Sequence, residues 1–323
     1  MIKKNLKLKK ERKHLMKSTF LMMFICSIIL CGNPEAAEAP SEIPGSTSDS
    51  LTKLHSIDSH DVTVEENLTD SYGDTYSDVL LFNADVSARA VYSLNGQYKR
   101  MTATMVSGEK TVSGQELIVG IFADSEPVYS ITDYTSQLGP QTIDIDLTGV
   151  QELEIQTRQV VLSSVLNPAW IALTNISMEK NDGSAGETKN YERLLDNAVV
   201  DSQKMESLER MVVDSYGNIH NGGIRFSEAA IGQDLQGYFL INLNQKYTQL
   251  TGEIVTDSGT PSDAVMNAEI YLDDVLAFEQ TDITKTVESV PFVLDVQGVK
   301  VVKFVISGYE DINAYIVDDK LLF

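Results

Sequence analysis

Cysteine is almost missing from this chain of 323 residues. The two present, Cys26 and Cys31, both lie in or at the edge of one apolar run. Everything after residue 31 therefore folds without a disulfide and without thiol chemistry. Histidine is scarce too, with four copies. None pairs with a nucleophile motif or stands at a metal-ligand spacing, and His55 and His60 fall in an apparent loop. Tryptophan occurs once, as Trp170. No apolar run reaches the ~20 residues of a membrane-spanning helix. Carboxylates are plentiful, so their number alone does not exclude a glycosidase acid and base. Acids in one half of the chain generally lack a polar counterpart in the other, however, as with Glu116 and Val265. The sequence reads as a non-enzyme with no cofactor.

Positive charge is the next scarcity. Of 25 basic residues, eight lie in the first 17 positions. From Cys31 onward, 17 basic residues face 46 acidic ones, a net of −29 against −22 for the whole chain. Such a body repels nucleic acid and anionic membrane surfaces. The basic head precedes an apolar run at 18–32 around Phe20 to Ile25, followed by small and acidic residues. That order is the pattern of an export signal. Met16 is an alternative start, with Lys17 as its basic flank. Three outcomes fit: lipidation at Cys31 as in a lipoprotein, cleavage after Ala37-Glu38-Ala39 with secretion, or an uncleaved anchor. The expected location is extracellular or cell-surface, with membrane attachment only through the N-terminal signal or lipid.

What the chain has in quantity is itself, twice. Asp70-Ser71-Tyr72-Gly73-Asp74 returns as Asp214-Ser215-Tyr216-Gly217-Asn218, and Leu94-Asn95 with Tyr98 returns as Leu243-Asn244 with Tyr247. The latter offset, 149 residues, then holds through Ile121/Ile270, Asp124/Asp273, Asp146/Asp295 and Gly149/Gly298. One domain used twice explains this better than one catalytic machine. The divisions are an export signal or anchor at 1–32, a disordered linker at 33–50, a first domain at 51–180, a linker at 181–190 and a second domain at 191–323.

Both domains read as β. Short runs rich in β-branched and aromatic residues alternate with turns every 8–12 residues, and Ile143 to Leu147 alternates strictly. Asn95-Gly96 after Ala90 to Leu94 is a hairpin signal. About eight strands per repeat predict an all-β chain of two tandem antiparallel jelly-roll sandwiches. One segment stands apart: Tyr191, Leu194, Leu195, Ala198, Val199, Ser202, Met205, Leu208 and Met211 have helical spacing, which predicts some helix around 190–197.

Tyr92-Ser93-Leu94-Asn95-Gly96-Gln97-Tyr98 followed by Asp146-Leu147-Thr148-Gly149-Val150-Gln151-Glu152-Leu153 resembles the NPCBM/NEW2 family of carbohydrate-binding modules. The second repeat carries Leu243-Asn244-Gln245-Lys246-Tyr247 and Asp295-Val296-Gln297-Gly298-Val299. The resemblance implies galactose-binding-like β-sandwiches, at about 50–180 and 190–323, of a kind often appended to secreted glycosidases. It places the family's early sugar-contacting histidine at about Leu81 and Arg225. It places the late motif at Leu166-Asn167-Pro168-Ala169-Trp170 and Asp311-Ile312-Asn313-Ala314-Tyr315, where only Trp170 and Asp311 keep the family residue.

The candidate ligand-binding residues are therefore Trp170 with Asn167, Tyr315 with Asn313 and Asp311, and Arg225. An aromatic face stacks on a sugar's C–H face while amides and carboxylates take its hydroxyls. The competing role for Trp170 and Tyr315 is core filling, and for Arg225 a structural ion pair. Asp257, Asp263, Asp273 and Asp274 are candidate oxygen ligands for a structural Ca2+, or ordinary turn acids. The expected partner is a glycan or cell-surface polysaccharide. The alternative is a spacer, or a module that binds another surface protein. A glycan site would expose Trp170 or Tyr315; a spacer would bury both.

Overall fold

The computed structural model describes residues 48–160, 168–181, 183, 190–208, 210–227, 235–309 and 312–323. The expected export signal at 1–32 with Cys31, and Asn167 and Asp311, lie outside the described residues. Ser46–Phe323 forms one compact unit.

Each repeat is a pair of antiparallel sheets. In the first, a front sheet runs in the order Val62–Thr69, Thr75–Asn83, Trp170–Lys180, Tyr98–Ser107, Gln141–Asp146. Its back sheet runs Asp58–His60, Ser87–Ser93, Glu152–Gln159, Leu117–Ala123, Glu126–Tyr134. The second repeat reproduces both orders. Its front sheet is Met205–Leu208, Gly223–Ser227, Asn313–Leu322, Gln249–Thr256, Val290–Asp295, and its back sheet is Val199–Gln203, Leu235–Asn242, Val301–Tyr309, Val265–Leu272, Val275–Ile283. Strict alternation builds these elements: Ile143 and Ile145 enter the core while Thr142, Asp144 and Asp146 face water. His60, expected in a loop, is a strand residue paired with Arg89.

The cores occupy matching positions with different side chains. In the second sandwich Phe239 stacks on Phe304 at 4.7 Å, with Phe226 and Phe292 each 5.8 Å from one of them. In the first, the corresponding strand positions hold Phe82, Ala90, Ile155 and Ile143, all buried.

Three sequence expectations change. The segment from Tyr191 contains no α-helix; it has one 3-10 turn at Leu194–Asp196 and then strands Val199–Gln203 and Met205–Leu208. Its apolar residues serve separate surfaces. Leu194 fills the core, Leu208 packs against the front sheet's outer face, and Met211 docks on the first sandwich. Tertiary demand overrides the apparent helical face. Second, Asn95-Gly96 does not close a hairpin. Both residues have positive φ (51° and 65°) as the turn chemistry requires. Yet Ser87–Ser93 belongs to the back sheet and Tyr98–Ser107 to the front sheet. Leu94 and Tyr98 must both enter the core, so the chain turns a corner. The turn's N–H groups bond Gln151 and Val150 carbonyls across the end of the sandwich.

The third concerns register. In the first sandwich Ala172 pairs with Leu81 and Val106, and in the second Tyr315 pairs with Arg225 and Val255. Tyr315 therefore occupies the place of Ala172, and Asn313 that of Trp170. Thr111 and Thr260 confirm it. The Thr111 hydroxyl bridges the main-chain N–H and C=O of Trp170, both at 2.9 Å, and Thr260 does the same for Asn313, both at 3.3 Å. The motif alignment that matched Trp170 with Tyr315 is two residues out.

The repeated motifs are turn staples. Buried Asp70 accepts the N–H groups of Tyr72 and Asp74, and Asp214 accepts those of Tyr216 and Asn218. Asp124 takes the N–H groups of Gln151 and Glu152, and Asp273 those of Lys300 and Val301. The Tyr98 hydroxyl donates to Asp49 and that of Tyr247 to Glu192. Satisfying buried backbone and hydroxyl groups is what these residues do in both copies.

The sandwiches are joined by a packed seam. Ile219 of a short two-stranded ribbon in the second repeat, and Met211 just before that ribbon, pack on Ile118 and Phe122 of the first back sheet. Around them runs a polar network. Buried Glu154 takes hydrogen bonds from Arg89, Gln156 and Asn221, and the Gln156 side-chain Oε1 accepts the Met211 N–H at 2.6 Å. Arg193 pairs with buried Asp319 at 2.9 Å and donates to the Asn221 carbonyl. Gly120 makes the approach possible, since a Cβ there would sit 2.8 Å from the Met211 sulfur.

Candidate functional site

The candidate residues fall into two groups that do not meet. Trp170 starts the central strand of the first front sheet and lies on its outer face, outside the main core. It is partly buried and packs against a satellite patch of Val79, Leu81, Val106, Ala172, Leu68 and Tyr76. Core filling, the competing role, goes instead to its neighbour Ile171. The ring borders a recess of about 340 Å3, whose polar rim includes Glu65, Asn67, Glu109 and Lys110. Lys110, an exposed side chain, holds its ammonium 4.4 Å from the ring centroid. Thr111 clamps the Trp170 main chain on both sides, so the indole is presented from a rigid strand end. No sequence signal singled out Glu65, Asn67, Glu109 and Lys110. They come from a strand and a turn that only the sheet order brings to Trp170.

The other group sits at the corresponding place on the second sandwich. Arg225 donates to the Asn313 side chain at 2.7 Å and lies 3.6 Å from the Glu206 carboxylate. That is the structural ion pair weighed against ligand contact. Tyr315, only 7% exposed, gives its hydroxyl to Asp257 at 2.7 Å. Burial, with the Asp257 charge beside it, pushes the Tyr315 phenol well above its ordinary value. Tyr315 is thus a buried anchor, not an open stacking face.

Asp257 and Asp273, two of the Ca2+ candidates, are spent on turn N–H groups. Among the described residues no three His, Cys, Asp or Glu side chains cluster so as to hold a metal. His220 is buried beside Asp318, at 2.6 Å, and Asp214, at 3.6 Å. Its burial opposes charge, but these carboxylates outweigh that and raise its pKa.

A family model described as NPCBM/NEW2 domain matches residues 45–163 and 218–318. No curated protein matches the chain. Among solved structures, the tandem CBM51 modules of a family 98 glycoside hydrolase from Streptococcus pneumoniae SP3-BS71 are 10% identical. That match covers 86% of this chain and 99% of that one, with a TM-score of 0.37. A CBM51 from Clostridium perfringens GH95, in complex with methyl-galactose, is 16% identical over 41% of this chain and 99% of its own, with a TM-score of 0.35. The M60 catalytic domain with two CBM51 domains of Clostridium perfringens ZmpB is 11% identical over 84% of this chain, with a TM-score of 0.35, and the chain spans 39% of its length.

Proposed function

The chain belongs to the NPCBM/NEW2 domain family, and from that premise we propose that it is a non-catalytic carbohydrate-binding protein acting outside the cell. The observation that carries this reading is the partly exposed Trp170 ring at the edge of a polar-rimmed recess. An indole face takes the apolar C–H face of a sugar ring. Glu65 and Glu109 accept hydroxyl hydrogens there, Asn67 both donates and accepts, and Lys110 donates. Exposed Lys110 swings off the ring as the sugar arrives. The second sandwich carries Asn313 in place of the tryptophan, so the main site belongs to the first.

The basic and apolar head supports export to the cell surface, with retention by a lipid on Cys31 or by the uncleaved signal. An acid-rich body keeps clear of nucleic acid and bare anionic membrane. The packed seam favours a second reading, a rigid spacer or protein-interaction module, because two welded sandwiches hold a fixed length.

A glycan array screened with Ser46–Phe323, the compact unit, decides between them. The expected result is binding that Trp170→Ala abolishes, accompanied by a change in Trp170 fluorescence on titration. An array silent with and without Ca2+ would leave the spacer reading. Binding unaffected by Trp170→Ala would move the site away from the first front sheet.

A further inference from the structure

A second recess, of about 390 Å3, lies at the seam. Ile118 and Val160 line it from the first sandwich, and Met211, Val212 and Tyr315 from the second. Two arginines enter it: Arg158 from the first back sheet and Arg210 from the segment just before the docking ribbon. In a chain of net charge −22, carboxylates are in excess and claim the other seam and sheet arginines. Arg89, Arg100, Arg193 and Arg225 each have one. Arg158 and Arg210 do not. Among the described residues neither side chain forms an ion pair or a hydrogen bond, and the Arg158 Nε is buried without a partner.

The nearby acid offsets this charge only in part. Asp257 is held by the Gly259 and Thr260 N–H groups and by the Tyr315 hydroxyl. Burial and the neighbouring Arg210 charge both pull the Arg158 pKa down, a cost that a bound anion would relieve. A guanidinium presents a planar fork that fits a carboxylate's two oxygens. The apolar wall suits the C–H face of a ring, and the volume falls within the usual range for small-ligand pockets.

We propose that this seam recess binds the carboxylate of an acidic sugar unit, a uronic acid residue, through Arg158 and Arg210. The identity of the ligand as a sugar rests on the carbohydrate-binding reading; the anion site itself does not. Both sandwiches build it, so the seam is a composite binding surface as well as a weld.

Calorimetric titration of Ser46–Phe323 with trigalacturonate, its methyl ester and inorganic sulfate tests this. The acid should bind and the ester should bind about tenfold more weakly or worse, as for loss of a charge-assisted pair. Arg158→Gln and Arg210→Gln should each weaken the acid by about the same factor. Affinity should fall between low and high salt. Arg210 is exposed, so Arg210→Gln reads binding without a folding effect. No binding of the acid, equal binding of acid and ester, or indifference to both arginine variants would overturn the proposal. Sulfate matching trigalacturonate would overturn its uronate assignment. Loss of neutral-glycan binding in the array without loss here would strike the Trp170 reading alone.

Discussion

The front sheets of the two sandwiches share their strand order and their buried cores, yet their outer faces have gone separate ways. The first presents Trp170, Leu81 and Ala172 beside an open recess. The second has Asn313, Arg225 and Tyr315 at those positions, with the tyrosine buried and hydrogen-bonded. The back sheets diverge in the opposite sense. Phe122, Gly120 and Glu154 of the first are covered by the second sandwich, whereas their counterparts Tyr271, Glu269 and Lys303 are partly exposed. A duplicated fold keeps what its core and turns require and spends its outer faces on docking and on ligands.

The largest expected effect tests whether the sandwiches melt as one. Phe304→Ala should cost about 3–5 kcal/mol, the usual loss for a buried phenylalanine. Trp170 is the only tryptophan, so its fluorescence reports the first sandwich. In urea its midpoint should fall together with the far-ultraviolet dichroism, although the substitution lies in the second. Separate midpoints would show that the seam does not couple them.

Next come the matched back-sheet positions. Glu154→Ala strands Arg89 and Asn221 at the seam and should cost about 2–3 kcal/mol, less than a fully buried pair because Arg89 keeps Asp58. It should also separate the two unfolding signals. Lys303→Ala at the equivalent exposed site should stay within about 0.5 kcal/mol. Equal effects would erase the distinction between a covered and an open back face.

The third comparison sets His220 against Tyr76, its counterpart after the shared turn. The raised His220 pKa means the folded state holds its proton more tightly than the unfolded chain. Its contribution is therefore complete below the ordinary value of 6.5 and fades as pH rises through the higher folded value. Between pH 5.5 and 8.5 the urea midpoint of the native protein should decline relative to that of His220→Tyr. Parallel curves would remove the histidine from the account. The smallest effect expected is that of Lys110→Met, about 0.5 kcal/mol or less for an exposed cation over an indole. It should leave stability nearly unchanged while altering glycan affinity at Trp170.

The sequence by itself determined the duplication, the all-β class and the family. These are legible because they are written locally: alternation marks a strand, and the Asp-Ser-Tyr-Gly run repeated from Asp70 and from Asp214 marks a copied unit. Even Asn95-Gly96 was correctly a tight turn. Tertiary structure alone decided that this turn joins two sheets, that Asn313 and not Tyr315 stands where Trp170 does, and that the apolar spacing after Tyr191 serves strands. It alone also chose which back face is covered and brought Arg158 to Arg210. Those outcomes depend on pairings between segments far apart in the chain, and a strand's pattern states which face is apolar without stating what will cover it.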